Sequence, residues 1–269
     1  MRILKYPGSK WRIADAIIEL IPEHHSYLEP FFGSGAIFFR KKPSDIETIN
    51  DLDNNIPNLF RCIREDPEKL ARIVALTPYS RFEYERAFGN AEKDEYQRAV
   101  DFLITCWQGH GFRTNKYRVG WKNDVHGREY MYSVRDWCKL PENMLAIADR
   151  LKQVQIDNRP AVEIIKRFDF DDVFMYIDPP YVLSTRSGKQ YKHEMTDNDH
   201  VELLEILKDT KAKVMISGYE SAIYNDVLKG WNKQKFCTNA EHGAKRIETV
   251  WMNYEINHQM TFGDLGIMK

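Results

Sequence analysis

The sequence predicts an α/β protein built on a doubly wound, mostly parallel sheet. Short apolar, β-prone runs alternate with helical periodicity at both ends of the chain, which is the pattern of strand-helix units. Two of these runs lead into segments suited to ligand contact, Phe31-Phe32-Gly33-Ser34-Gly35 and Asp178-Pro179-Pro180-Tyr181. Open α/β sheets bind ligands at the carboxyl ends of their strands. Between residues 57 and 141 the alternation stops, so one segment is expected to lie outside the sheet.

The elements follow in order. Ile13, Ala14, Ile17, Ile18 and Ile21 form one face of a helix after the Pro7-Gly8-Ser9-Lys10 turn. A short strand is expected at Tyr27 and Leu28, then a second helix opening at Phe31 to Gly35, then a strand from Glu47 to Asn50 that ends at Asp51. Val154 to Ile156 and Val173 to Ile177 read as further strands, the latter buried. Thr196 with Asp199 forms a capping box before a helix carrying Val201, Leu204 and Leu207. Val214 to Ser217 is a buried strand, and Arg246 to Glu255 alternates Val250, Met252 and Tyr254 against Thr249, Trp251 and Asn253. Residues 1–56 and 142–269 are therefore expected to form one domain, and residues 57–141 an inserted, mostly helical subdomain ending in an irregular basic loop or hairpin.

Composition narrows the class. The 269 residues are 43% hydrophobic and 29% charged, with a formal net charge of −1, so the chain as a whole has no signature of nucleic-acid binding. Locally the balance differs. From His110 to Leu140 the net charge is +4, and the first twelve residues hold Arg2, Lys5, Lys10 and Arg12 without an acid. Two basic segments on a neutral protein suggest one positive face. Cys62, Cys106, Cys138 and Cys237 form no CxxC pair, the histidines show no metal-ligand spacing, and no metal is expected. Nothing resembles a secretory leader or a membrane span, so a cytoplasmic location is expected.

The chemistry is carried by the turns. In Asp178-Pro179-Pro180-Tyr181 the prolines fix φ and remove two donors, leaving a stiff turn with a carboxylate, free carbonyls and an aromatic face. That is a receptor for an amino group on a flat ring, although a Pro-Pro turn with a local Asp cap reads equally simply. Gly33 and Gly35 let backbone approach a ligand, but position 38 is Phe38 where a dinucleotide site would want a third glycine. This argues for a cofactor without phosphates. Asp51 suits both hydroxyls of an adenosine ribose, or else caps the helix beginning near Asn54. Lys10 lacks P-loop spacing and could hold a cofactor carboxylate or a DNA phosphate, with Tyr6 offering an aromatic face.

Ile3 to Lys10, Leu28 to Gly35, Asn50-Asp51 and Asp178 to Tyr181 occur in the order seen in Dam-like DNA adenine-N6 methyltransferases, which the chain resembles, in their phage or prophage form. The resemblance implies the S-adenosylmethionine-dependent methyltransferase type of Rossmann-like sheet and S-adenosyl-L-methionine as cofactor. It implies site-specific methylation of a flipped-out adenine in double-stranded DNA, with catalysis at Asp178, Pro179 and Tyr181. Tyr6, Lys10, Phe32, Gly33, Gly35, Asp51 and Asp178 would line the cofactor pocket, with Asp157 as a further candidate for the cofactor adenine. Lys5 matches a position that approaches DNA. Arg113, Lys116, Arg118, Lys122 and Arg128 are the other expected DNA contacts. A restriction endonuclease partner and action as a monomer or weak dimer go with that type. Gln108 to Arg113 departs from the run carried by GATC-reading members, which leaves the target sequence open. Cytosine-N4 methylation is the nearest alternative, and a nicotinamide-dependent oxidoreductase the alternative from another class.

Overall fold

A computed structural model of the chain describes residues 2–89, 92–115, 117–123, 125, 132–186, 188–239 and 245–256. In chain order these residues form α1 (Ala14–Ile18), β1 (Ser26–Glu29), β2 (Ile46–Asn50), α2 (Asn55–Glu65), α3 (Pro67–Leu76), α4 (Arg81–Ala87) and α5 (Glu95–Gln108). There follow α6 (Tyr132–Cys138), α7 (Leu140–Leu151), β3 (Val154–Asp157), α8 (Ala161–Arg167) and β4 (Val173–Ile177). A short 3-10 turn at Leu183–Thr185 precedes α9 (Asp197–Lys208), β5 (Lys213–Gly218), α10 (Ala222–Val227), β6 (Asn232–Asn239) and β7 (Lys245–Met252).

The strands form one seven-stranded sheet in the order β3-β2-β1-β4-β5-β7-β6. The first five are mutually parallel, and β7 runs antiparallel to both β5 and β6. The order reverses between β1 and β4, where Leu28 pairs with Met175, and this opens a crevice at the carboxyl ends of those two strands. Alternate residues feed two cores. Tyr27, Phe174, Tyr176, Met215 and Val250 face the helices of the first half of the chain, whereas Leu28, Met175, Ile177, Val214 and Trp251 face α8, α9 and α10. Burial on both faces explains why the central strands read as continuous apolar runs.

Local sequence sets the helix starts. Asp66, Ser80 and Asp94 each accept a backbone N–H in the first turn of α3, α4 and α5, and Thr196 with Asp199 forms the predicted capping box of α9. Two expectations change. The helix predicted over 13–21 is regular only at Ala14–Ile18, since Leu20 and Ile21 close tighter three-residue turns ahead of Pro22. The helix expected after Phe31 is a series of turns over 33–41. Gly33 and Gly35 adopt φ +50° and +61°, outside the helical region. Beyond them the i to i−4 bonds from the Phe39 N–H to the Gly35 carbonyl and from the Lys41 N–H to the Ile37 carbonyl are interrupted by the tighter Arg40 to Ile37 bond, so they do not run on as a ladder. Strand β6 had no counterpart in the sequence reading. Its Asn-Lys-Gln-Lys start is polar because it forms the sheet edge, where charged side chains discourage further pairing.

Helices α2 to α7 occupy the long β2–β3 connection. Residues 57 and 141 fall inside α2 and α7, and Leu59, Phe60, Leu103 and Met144 belong to the same core as the sheet residues Tyr27 and Phe174. Arg150 of α7 also ion-pairs with buried Glu47 of β2, which Lys41 bonds from the other side at 2.6 Å. After α5 the chain makes a hairpin-like excursion closed by a bridge between Gly109 and Trp121.

Candidate active site

A cavity of about 260 Å³ lies at the carboxyl ends of β1, β2 and β4. Its lining includes Tyr6, Lys10, Glu29, Phe32, Gly33, Asp51, Asp53, Asp178 and Pro180, with Thr114 and Tyr191 to Met195 from two loops. Two glycine positions depend on close approach. A Cβ on Gly33 would sit 3.1 Å from the Tyr6 ring, and one on Gly35 would meet Phe32 at 2.3 Å. Gly35 therefore shapes the turn, whereas Gly33 presents its backbone to the cavity.

Asp51 accepts the Gly33 N–H on Oδ2 and the Asp53 N–H on Oδ1, both at 2.9 Å. It ties the glycine turn to the end of β2, and each oxygen keeps one site for a ligand donor. Burial raises its carboxyl to about 7, against the two N–H bonds that hold it down. Burial likewise raises Glu29 to about 8, although Tyr27 donates to it at 2.6 Å. Asp53 is 3% exposed; its Oδ1 takes bonds from Asn55 and from Lys192 at 3.3 Å, and its buried Oδ2 has no partner among the described residues.

Lys10 reaches Asp178. Its Nζ donates to both carboxylate oxygens at 2.8 Å and to the Gly8 carbonyl at 2.6 Å. Burial pulls the ammonium's pKa down, but Asp178 and Glu248 outweigh it and the net direction is up. Ser217, at the end of β5, donates to Asp178 Oδ1 at 2.7 Å. Oδ1 is thus filled, while Oδ2 retains an open site. Tyr181 lies behind the turn, 7% exposed, with its ring edge-on to Tyr219 at 4.7 Å and its hydroxyl bonded to Glu248 at 2.6 Å. Burial first, then Asp178 and Glu248, drive its hydroxyl well above the usual phenol range.

A strap from Gly188 to Met195 borders the cavity. Arg186 donates to the Tyr181 carbonyl at 2.8 Å and ion-pairs with Glu194, whose Oε1 also accepts the N–H groups of Gln190 and Tyr191. Thr114, past α5, ties the strap at the cavity mouth: its N–H donates to the Gln190 carbonyl, and the Lys192 N–H donates to its hydroxyl at 2.7 Å.

The structure thus brings Tyr6, Lys10, Phe32, Gly33, Asp51 and Asp178 to one cavity. Asp157 is not among the lining residues; it ends β3, ion-paired with Arg159 at 3.0 Å. Pro179 and Tyr181 are also absent from the lining, Pro180 being the part of the turn that reaches it. Lys5 ion-pairs with Asp136 and sits 4.2 Å from the centre of the Trp107 ring. Arg113 stacks on Tyr117 at 5.0 Å, and Arg118 on Phe88 at 4.9 Å. Lys122 extends the hairpin by donating its N–H to the Gln108 carbonyl. Lys116 and Arg128 lie outside the described residues. Glu29, Asp53, Thr114, Ser217 and Glu248 were missed as site residues; only Glu29 and Asp53 carried a local signal, being carboxylates beside residues already chosen.

The donors and acceptors fit S-adenosyl-L-methionine. Glu29, Asp51, Asp53 and Asp178 face Lys10 and Lys192, an acceptor-rich wall suited to ribose hydroxyls, an ammonium and a sulfonium. The orphaned Asp53 Oδ2 calls for such a donor. No regular helix follows Gly35 to cradle a pyrophosphate. Strand order and site together define a methyltransferase that uses S-adenosyl-L-methionine. Residues 6–252 match the family described as D12 class N6 adenine-specific DNA methyltransferase, and the chain belongs to that family. The nicotinamide and cytosine alternatives are thereby set aside.

The chain is 28% identical to the Type II methyltransferase M1.LlaDCHI of Lactococcus lactis subsp. cremoris, across 90% of this chain and 89% of that protein. It is 27% identical to the Type II methyltransferase M.MjaIII of Methanocaldococcus jannaschii, across 93% and 98%. The DNA N-6-adenine-methyltransferase of Escherichia phage P1 is 23% identical, across 80% of this chain but only 29% of that protein. Among solved structures, the rRNA methyltransferase aviRa of Streptomyces viridochromogenes superposes with a TM-score of 0.39 at 12% identity, across 92% of this chain and 85% of that one. At that score the fold assignment rests on the strand order.

Proposed function

We propose that the protein methylates adenine at one specific sequence of double-stranded DNA, and that Asp178 and the Pro179 carbonyl receive the target amine. The observation that carries this reading is the open acceptor site on Asp178 Oδ2, beside a carboxylate otherwise fixed by Lys10 and Ser217. An adenine in a duplex hides its amine in pairing, so the base must leave the stack at a cost of a few kcal/mol. Tyr181 stacks on it and returns about 1–3 kcal/mol. Two hydrogen bonds from N6 to Asp178 and Pro179 draw the amine lone pair out of the ring and aim it into the cavity. Tyr6, Lys10, Phe32, Gly33, Asp51 and Asp53 hold the cofactor, Lys10 acting mainly by orienting Asp178. The cofactor supplies an electrophilic methyl group. Catalysis is then positioning and electrostatics.

Residues 57–141 serve as the target-recognition part, and Lys5, Arg113, Arg118 and Lys122 meet DNA. Lys116 and Arg128 belong to the same basic stretch. The relatives named Type II methyltransferases support pairing with a restriction endonuclease. The protein acts in the cytoplasm as a monomer or weak dimer. Among the described residues no helix is long and apolar enough to cross a membrane. The test is methylation of mixed genomic DNA in vitro followed by single-molecule mapping of modified bases. One short motif bearing N6-methyladenine in duplex substrate is expected, with Asp178→Ala silent yet still retaining DNA. Scattered modification without a motif, or modification of single strands only, would overturn the reading.

A further inference from the structure

Strand β7 carries a residue that breaks its own pattern. Glu248 has the same parity as Val250 and Met252, both fully buried, and is itself only 8% exposed. A carboxylate in a core-facing strand position costs desolvation that an apolar side chain would avoid, so its partners show what it is for. Among the described residues, the one hydrogen bond to its side chain is from the Tyr181 hydroxyl, at 2.6 Å. Glu248 is absent from the cavity lining, so it is not poised to touch the cofactor.

We infer that Glu248 is a positioning residue for methyl transfer: it anchors the Tyr181 hydroxyl and so fixes where that ring stands to meet the flipped adenine. Two anchors act on Tyr181 from opposite ends. Arg186 holds its carbonyl at 2.8 Å, and Glu248 holds its hydroxyl. A ring tethered only at its backbone can still swing about its first side-chain torsion; tethering the hydroxyl, which lies on the axis of the second torsion, removes that swing and fixes where the ring stands before the base arrives. Tyr219, edge-on at 4.7 Å, limits the remaining space. The sheet strand β7 thus orients a side chain of the turn after β4 across the intervening β5.

The inference rests on the stacking role of Tyr181, and the experiment separates the two. Steady-state kinetics and cofactor affinity are measured for Glu248→Ala, Glu248→Gln, Tyr181→Phe, Tyr181→Ala and the double variant Tyr181→Phe/Glu248→Ala. Kinetics use duplexes with adenine at the target, and a separate set carrying 2-aminopurine in its place, which has no amine at C6 to methylate, reports only the fluorescence of the bound complexes. Glu248→Ala should lower kcat tenfold or more with cofactor Kd within twofold, and Tyr181→Phe should match it. The double variant should be no worse than either single, because one bond has been removed from either side. Glu248→Gln keeps an acceptor and should recover kcat to within about fivefold of the parent. Complexes of Glu248→Ala and Tyr181→Phe should fluoresce more brightly than the parent complex, since a misaligned ring quenches the flipped base less. Multiplicative losses in the double variant, or unchanged kcat and fluorescence in Glu248→Ala, would overturn the inference. Glu248→Gln as damaged as Glu248→Ala would also overturn it, by showing that charge toward Lys10 and not the hydroxyl bond is what matters. If Tyr181→Ala keeps the parental kcat, the stacking reading itself fails.

Discussion

Lys10 Nζ lies 2.8 Å from both carboxylate oxygens of Asp178, a pair separated by 168 positions in the chain. The side chains are 3% and 19% exposed, so neither charge is fully hydrated and each depends on the other. Lys10→Met should leave Asp178 as a partly buried charge with only Ser217 on it. Breaking a buried pair from one side typically costs about 3–5 kcal/mol, and the partial exposure of Asp178 puts this case near the lower end. Urea unfolding should show that loss, and Lys10→Met/Asp178→Asn should recover part of it while remaining inactive. A single variant as stable as the parent would mean that the pair contributes nothing to the fold.

Asp51 makes stability depend on pH. Its carboxyl is raised from 3.8 to about 7 by burial, so the folded state binds the proton more tightly than the unfolded chain does. The stabilisation from that proton is complete below about pH 4 and is lost as pH rises to about 7. A shift of that size corresponds to roughly 4 kcal/mol at full strength; Asp51 borders an open cavity, and screening reduces it to about 1–2 kcal/mol. Asp51→Asn cannot titrate. Its stability should therefore fall less than the parent's between pH 4 and 7, in denaturant titrations without cofactor. Parallel pH curves would show that Asp51 titrates normally.

The sequence made the two ends of the site legible because each is a local device. Gly33 and Gly35 need left-handed φ within one turn, and Asp178-Pro179-Pro180 needs a strand end. The same locality explains the misses. Lys10 was expected to stay free for a ligand, since no spacing rule joins it to Asp178. Glu248 sits in a strand read only for its apolar parity, and Thr114 gains its role from Lys192 across the cavity mouth. Polar β6 follows the sheet edge, which is a property of its neighbours. Asp157 matched a strand end but is taken up by Arg159.

Thr114 joins the segment after α5 to the strap over the cofactor cavity. Thr114→Val keeps the shape and its backbone bond to Gln190 but removes the acceptor for the Lys192 N–H. A net hydrogen bond is worth about 1 kcal/mol, or roughly fivefold. Cofactor dissociation followed by stopped-flow should accelerate by about that factor, with nonspecific DNA affinity unchanged. An unaltered rate would mean that the strap does not retain the cofactor.

Arg113 lies within the hairpin closed by Gly109 and Trp121 and Lys122 follows it, and they should do different work. Arg113 is exposed and braced on the Tyr117 ring, which leaves its planar fork free to pair with a guanine edge at about 1–3 kcal/mol of discrimination. Lys122 has its backbone locked to Gln108 and presents a point charge suited to a phosphate. Arg113→Ala should therefore relax the mapped methylation motif at one position. Lys122→Ala should leave the motif intact and reduce the salt slope of binding by about 1, since one fewer counterion is released. If both changes leave motif and slope untouched, recognition is carried elsewhere than this hairpin.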